Sequence, residues 1–154
     1  HDYLNWRFAN HPLLAYHIIA CRAQEKLCGF LVWRMEEDQG FRIARIVDFV
    51  SQEQADAPLL REFLSEAGKS VDMVDFMFSG QYHHETLKEF GFFNVYGTPF
   101  ENLPMYFNPI SYSKNYINFC AWNDNESIDK DMFYNHNNRY LTRGDGDQDR
   151  PNPH

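Results

Sequence analysis

The apolar positions of this chain fall into short alternating runs interrupted by polar turns. "FRIARIVDFVS" (41–51) is the clearest. A strict period of two puts Phe41, Ile43, Arg45, Val47 and Phe49 on one face and Arg42, Ala44, Ile46, Asp48 and Val50 on the other. "AYHIIACRAQ" (15–24) and "LCGFLVWRMEE" (27–37) predict two further strands. A polar turn at Glu25–Lys26 separates these two. A second turn over Glu37–Gly40, where glycine gives a permissive backbone, leads into the third strand. The pattern predicts a three-stranded antiparallel meander.

Helical spacing appears on either side of the meander. "DYLNWRFANHP" reads as the end of a helix stopped at Pro12. Leu59, Leu60, Phe63 and Leu64 form an apolar stripe over Gln54–Ala67, with Gly68 as a stop signal. "VDMVDFMFS" (71–79) predicts a strand, "YHHETLKEF" (82–90) a helix and "FFNVYG" (92–97) another strand. Residues 98–114, with three prolines, predict an irregular loop, and "NYINFCAW" a last strand. From Asn123 the chain is polar, with "MFYNHNNRYLT" as its apolar anchor. The order predicts an α+β fold with a mixed, mainly antiparallel, twisted sheet flanked by helices. The join from the third strand through a helix to the fourth should be parallel. Residues 1–122 form the expected domain, and 123–154 a C-terminal extension packed on it.

Composition narrows the function classes. A chain of 154 residues is long enough for one domain with a core. Its aromatic share of 17% is far above that of disordered chains. Fourteen basic against twenty-two acidic residues give a net charge of −8, which repels phosphate backbones and argues against nucleic acid as a partner. No apolar stretch is long enough to insert into a membrane, and no secretory leader is evident. Cys21, Cys28 and Cys120 form no C-x-x-C pair, so buried, reduced thiols in a cytoplasmic protein are expected. The first residue is His, so an upstream segment is left open.

Several stretches resemble the GNAT (GCN5-related N-acetyltransferase) superfamily. They are "YLNWRFANHP" before the meander, "IARIVDFVS" at the third predicted strand, "LKEFGFFNV" at the last helix, and the tail "LTRGDGDQDRPN". The tail resembles the ending of GNAT-like domains in bacterial polysaccharide-biosynthesis proteins. By order of elements, residues 3–122 correspond to the family's fold without its first strand and helix. The resemblance implies an acyl-CoA-dependent N-acyltransferase, with acetyl-CoA or another acyl-CoA as cofactor. Its implied acceptor is a small molecule such as an amino sugar. It implies pantetheine binding along the strand edge at Val47, Phe49 and Val50. Trp6, Arg7 and Asn10 would border the acceptor.

Two features depart from the family. The stretch "SQEQADAPLLREF", where a glycine-rich loop should hold the pyrophosphate, contains no glycine. It offers Glu53 and Asp56 to an anion, and Pro58 lacks an N–H. The position of the family's tyrosine acid, four residues before Gly91, is Leu87. The alternative is therefore a catalytically degenerate GNAT-like domain. It would bind an acceptor, or brace an upstream domain or a second copy of itself.

Candidate chemistry follows from residue types. Asp48 is the candidate base, or else pairs with Arg42 or Arg45. Tyr82 and His83 are the candidate substitute acids; otherwise His83 and His84 belong to a helix start at the surface. Adjacent histidines point about 100° apart on a helix and do not chelate one ion, so no metal site is expected. The three alternating aspartates of "GDGDQDRPN" lack the Gly and Glu of an EF-hand. This tail should fold against the body, anchored by Tyr140 and Leu141, with Asp145 or Asp147 capping a turn.

Overall fold

The structure, a computed structural model, describes residues 2–38, 40–95, 98–99, 124–125 and 127–145. Most of the expected proline-rich loop, the expected last strand, the boundary at residue 122 and the tail beyond Asp145 lie outside these residues.

The three predicted strands form β1 (His17–Ala23), β2 (Lys26–Asp38) and β3 (Phe41–Ser51), an antiparallel meander. Helix α2 (Glu53–Ala67) then carries the chain to β4 (Met73–Phe76), which pairs with β3 in parallel. The sheet order is β1-β2-β3-β4. The fold is α+β with a mixed four-stranded sheet flanked by helices.

The β1–β2 turn sits at Gln24–Glu25, one residue before its expected place, with Ala23 opposite Lys26. Both turn residues have left-handed backbones, at φ 49° and 67°. Neither is glycine, so each costs roughly 1 kcal/mol. The hairpin also carries a bulge. Cys21 pairs with Gly29 and Arg22 with Leu27, which leaves Cys28 as the extra residue.

A second bulge corrects the face assignment of β3. Val32 pairs with Asp48 but Trp33 pairs with Ile46, so Val47 is extra. Ala44, Ile46 and Phe49 therefore share one face, packed with Leu31, Trp33 and the α2 residues Leu59, Leu60 and Phe63. Strict alternation would have separated Phe49 from Ala44 and Ile46. Val47 turns to the opposite face and packs with Val32 and Phe8. Phe8 is delivered by the short helix α1 (Asp2–Leu4) and the π-helical turn Asn5–Ala9 that continues it.

Charged side chains are buried on the sheet as well. Arg45 pairs through Nε with Glu36 at 2.7 Å, and Arg34 reaches the same carboxylate at 3.3 Å. Asp75, beside Arg45 on β4, takes a two-pronged contact from Arg143 at 2.7 and 3.0 Å. This geometry ties the C-terminal segment to the sheet.

After β4 the chain passes through Phe78 and Ser79 to α3 (His84–Glu89). Residues 92–95 are not a strand, contrary to expectation. Phe92 instead hydrogen-bonds back to Leu87 and packs against the core. The C-terminal extension contains α4 (Lys130–Tyr134), with Asp129 as its cap, and short 3-10 turns at His136–Asn138 and Arg143–Asp145. Its Thr142 bridges Phe78 antiparallel, and Leu141 O accepts from Ser79 N at 2.9 Å. The extension is thus tied by one isolated bridge to the segment that follows β4. Among the described residues, no helix is long and apolar enough to cross a membrane.

Candidate ligand-binding site

β3 and β4 pair only from Ile43 to Ile46 on β3. The bulge at Val47 bends the strand, and the backbone beyond it needs other partners. Side chains supply them at Phe49. Its N–H donates to the Tyr140 hydroxyl at 2.9 Å, and the same hydroxyl donates to the Phe49 carbonyl. His83 Nε2 meets that carbonyl at 3.0 Å.

His83 is held on both sides. Its ring stacks on Phe49 with centroids 4.1 Å apart, and Nδ1 lies 2.8 Å from Asp56 Oδ2. The Ser51 hydroxyl donates to the other oxygen of Asp56. A left-handed backbone at His83, φ 64°, lets α3 begin with this ring turned inward. His83 is therefore a buried bridge between α3, α2 and β3, in place of the expected surface helix start. His84 and Tyr82 are exposed. Asp56 is likewise turned inward, whereas the sequence suggested a carboxylate facing an incoming anion.

Asp48 has the electrostatics expected of a base candidate. It is 6% exposed and pairs with neither Arg42 nor Arg45. Arg45 is committed to Glu36, and the exposed Arg42 lies where its backbone N–H meets Asp72. Burial raises the Asp48 carboxyl to about 6, helped by the nearby charge of Asp145. The Phe49 backbone, Tyr140 and Arg7 oppose the rise. Burial and the charges of Asp48 and Asp145 also push the Tyr3 phenol up. A carboxylate near 6 is ionised at pH 7 but basic enough to take a proton.

Asp145, together with Tyr3, Trp6, Arg7, His11, Pro12 and Gly144, lines a cleft of about 700 Å³. The N-terminal helical turns form one wall and the 143–145 turn the other. Arg7 Nε donates to the Gly144 carbonyl at 3.3 Å and ties the walls together. Asp145 Oδ2 accepts from Thr142 N at 2.8 Å, which closes the turn. His11 Nδ1 accepts from the amides of Leu13 and Leu14, which fixes the remaining proton on Nε2. The Trp6 ring is 74% exposed, so it does not pack as a core residue would.

Of the sequence-derived candidates, Trp6 and Arg7 do line one cleft, and Asp48 feels the charges of Arg7 and Asp145 on its walls. Asn10 is exposed and is not among the lining residues. Val47 and Phe49 are fully buried, and Val50 lies opposite Phe30 of β2. Tyr3, His11, Tyr140 and Asp145 are the functional candidates missed in the sequence reading. Tyr140 is ninety-one residues from its partner Phe49, and no local signal links them. Among the described residues, no three His, Cys, Asp or Glu side chains gather as a metal site.

No protein-family model matches the chain, and no curated protein does. A solved structure, an integron cassette protein from the mobile metagenome of V. cholerae, aligns with a TM-score of 0.48 and 14% identity. The alignment covers 78% of this chain and 72% of that one.

Proposed function

We propose that this chain is a GNAT-like binding domain that holds an amine-bearing, sugar-like small molecule and does not use acyl-CoA. One observation carries the reading. The backbone groups of Phe49, on the strand edge where an acyl-CoA arm would have to pair, are already satisfied by Tyr140 and His83. The absence of glycine before α2 agrees with it.

The cleft supplies the complementary half. Trp6 and Tyr3 offer aromatic faces suited to the apolar face of a pyranose ring. Arg7 set against Asp48 and Asp145 leaves a net negative charge that favours a protonated amine.

A second reading has its own support. The Asp48 carboxyl near 6 suits a base that accepts the proton of an attacking amine. In an active acyltransferase the amine nitrogen would attack the thioester carbonyl, and the thiolate of CoA would leave.

Isothermal titration separates the two. Glucosamine should bind and glucose should bind more weakly, while acetyl-CoA gives no heat. Tight acetyl-CoA binding with transfer of acetyl to glucosamine would establish the enzyme instead. No binding of either would remove both.

A further inference from the structure

The hairpin bulge brings two cysteines onto one face of the sheet. Cys21 on β1 is opposed by two residues of β2, its partner Gly29 and the extra residue Cys28. Both thiols pack against the α2-side core, so both point the same way. Gly29 contributes no side chain between them. A Cβ added at Gly29 would lie 2.6 Å from the Ser51 Cβ, so the close β2–β3 approach demands glycine here. Directly opposed residues of an antiparallel pair have Cα atoms about 4.5–5.5 Å apart, and Cys28 is the immediate neighbour of Cys21's partner, so the bulge brings it toward the span of a cross-strand disulfide.

Both cysteines are reduced and partly exposed, which corrects the expectation of buried thiols. Cys21 lines a shallow groove between β1 and α2, together with Pro58, Glu62 and Glu66. The two cysteines thus share one face of the hairpin and are open to a small reagent from outside.

We propose that Cys21 and Cys28 form a reversible cross-strand disulfide, a redox-sensitive clasp on the edge hairpin. The oxidant is a small disulfide such as oxidised glutathione. One cysteine thiolate attacks a glutathione sulfur and releases the first glutathione thiolate. The second cysteine thiolate attacks the protein-bound sulfur and releases the other. Two protein thiols become one disulfide, one glutathione disulfide becomes two thiols, and the two protons pass to the released thiolates. The clasp closes a hairpin whose left-handed Gln24–Glu25 turn opposes closure, so it should stabilise the fold.

The test uses the full chain carrying Cys120→Ser, which removes the third cysteine. After incubation with oxidised glutathione, intact mass should fall by two hydrogens. Tryptic cleavage after Arg22 and Lys26 places the two cysteines on separate peptides, and these should be recovered linked. The melting temperature should rise by roughly 4 °C and return on reduction with dithiothreitol. Cys21→Ser and, independently, Cys28→Ala should each abolish the shift. Recovery of only glutathione adducts, of only intermolecular disulfides, or of unchanged thiols would overturn the proposal.

Discussion

The Tyr140 hydroxyl accepts from the amide of Phe49 and donates to the carbonyl of the same residue. One side chain thereby replaces the strand that leaves β3 after Ile46. Phe49 itself is fully buried. Tyr140→Phe keeps the ring and leaves a buried amide without its partner, which costs about 1–3 kcal/mol. Urea unfolding should show a lower midpoint with an unchanged slope. An unchanged midpoint would mean that water or another group replaces the hydroxyl without loss.

Asp48 sets a pH dependence with a definite sign. Its carboxyl lies at about 6 in the fold against 3.8 for the free residue. Between those values the folded chain holds a proton that the unfolded chain has released. The stabilising contribution is therefore complete below about pH 4 and is lost as pH rises through 6. The loss approaches ~3 kcal/mol, at 1.36 kcal/mol per unit. Asp48→Asn should flatten this part of the stability profile and raise the melting temperature at pH 7. A profile unchanged by the substitution would show that Asp48 does not titrate differently on folding.

Asp56 and His83 should behave as a coupled pair. Each is buried, and their contact is 2.8 Å. Removing one partner leaves one buried polar atom of the other without its hydrogen bond, so Asp56→Asn and His83→Ala should each destabilise by about 1–3 kcal/mol. The double variant should lose less than the sum, with a coupling of about 1–3 kcal/mol. Additive losses would show that the two do not act through each other.

Trp6 separates binding from folding. Its ring is exposed on the cleft rim, so Trp6→Ala should change stability by no more than about 0.5 kcal/mol. Glucosamine affinity in the same variant should fall several-fold, because the stacking surface is gone. Unchanged affinity would exclude the cleft as the binding place.

The meander, α2 and the parallel entry of β4 were legible because each rests on local periodicity or on a connection rule. Asp48 was legible as a candidate, and its burial was not. Its position depends on the Val47 bulge, where the apolar residues at 46, 47 and 49 still fit a simple alternation. His83 read as a surface residue because its sequence neighbours are polar. Its inward turn comes from a left-handed backbone and from Asp56, a partner twenty-seven residues away. The cleft joins residues 3–12 to residues 144–145, a juxtaposition that no local pattern encodes. The motif "GDGDQDRPN" illustrates the same division. Asp145 caps a turn as its residue type suggests, whereas its electrostatic coupling to Asp48 arises only in the fold.

The β1–β2 turn offers a test of backbone strain independent of any side-chain contact. Gln24 and Glu25 both adopt left-handed conformations in a two-residue hairpin loop. Asn-Gly is the pair that suits such a turn, because asparagine tolerates the left-handed region and glycine has no Cβ to clash. The contact from Arg22 Nη1 to Glu25 uses the backbone carbonyl and survives the exchange. Replacing Gln24→Asn together with Glu25→Gly should therefore stabilise the chain by about 1 kcal/mol, read as a higher urea midpoint. Glycine also widens the freedom of the unfolded chain, which subtracts from the gain. Gln24→Asn alone avoids that loss and should give a smaller increase of the same sign. If neither substitution raises the midpoint, the two left-handed residues carry no strain and the hairpin closes without cost.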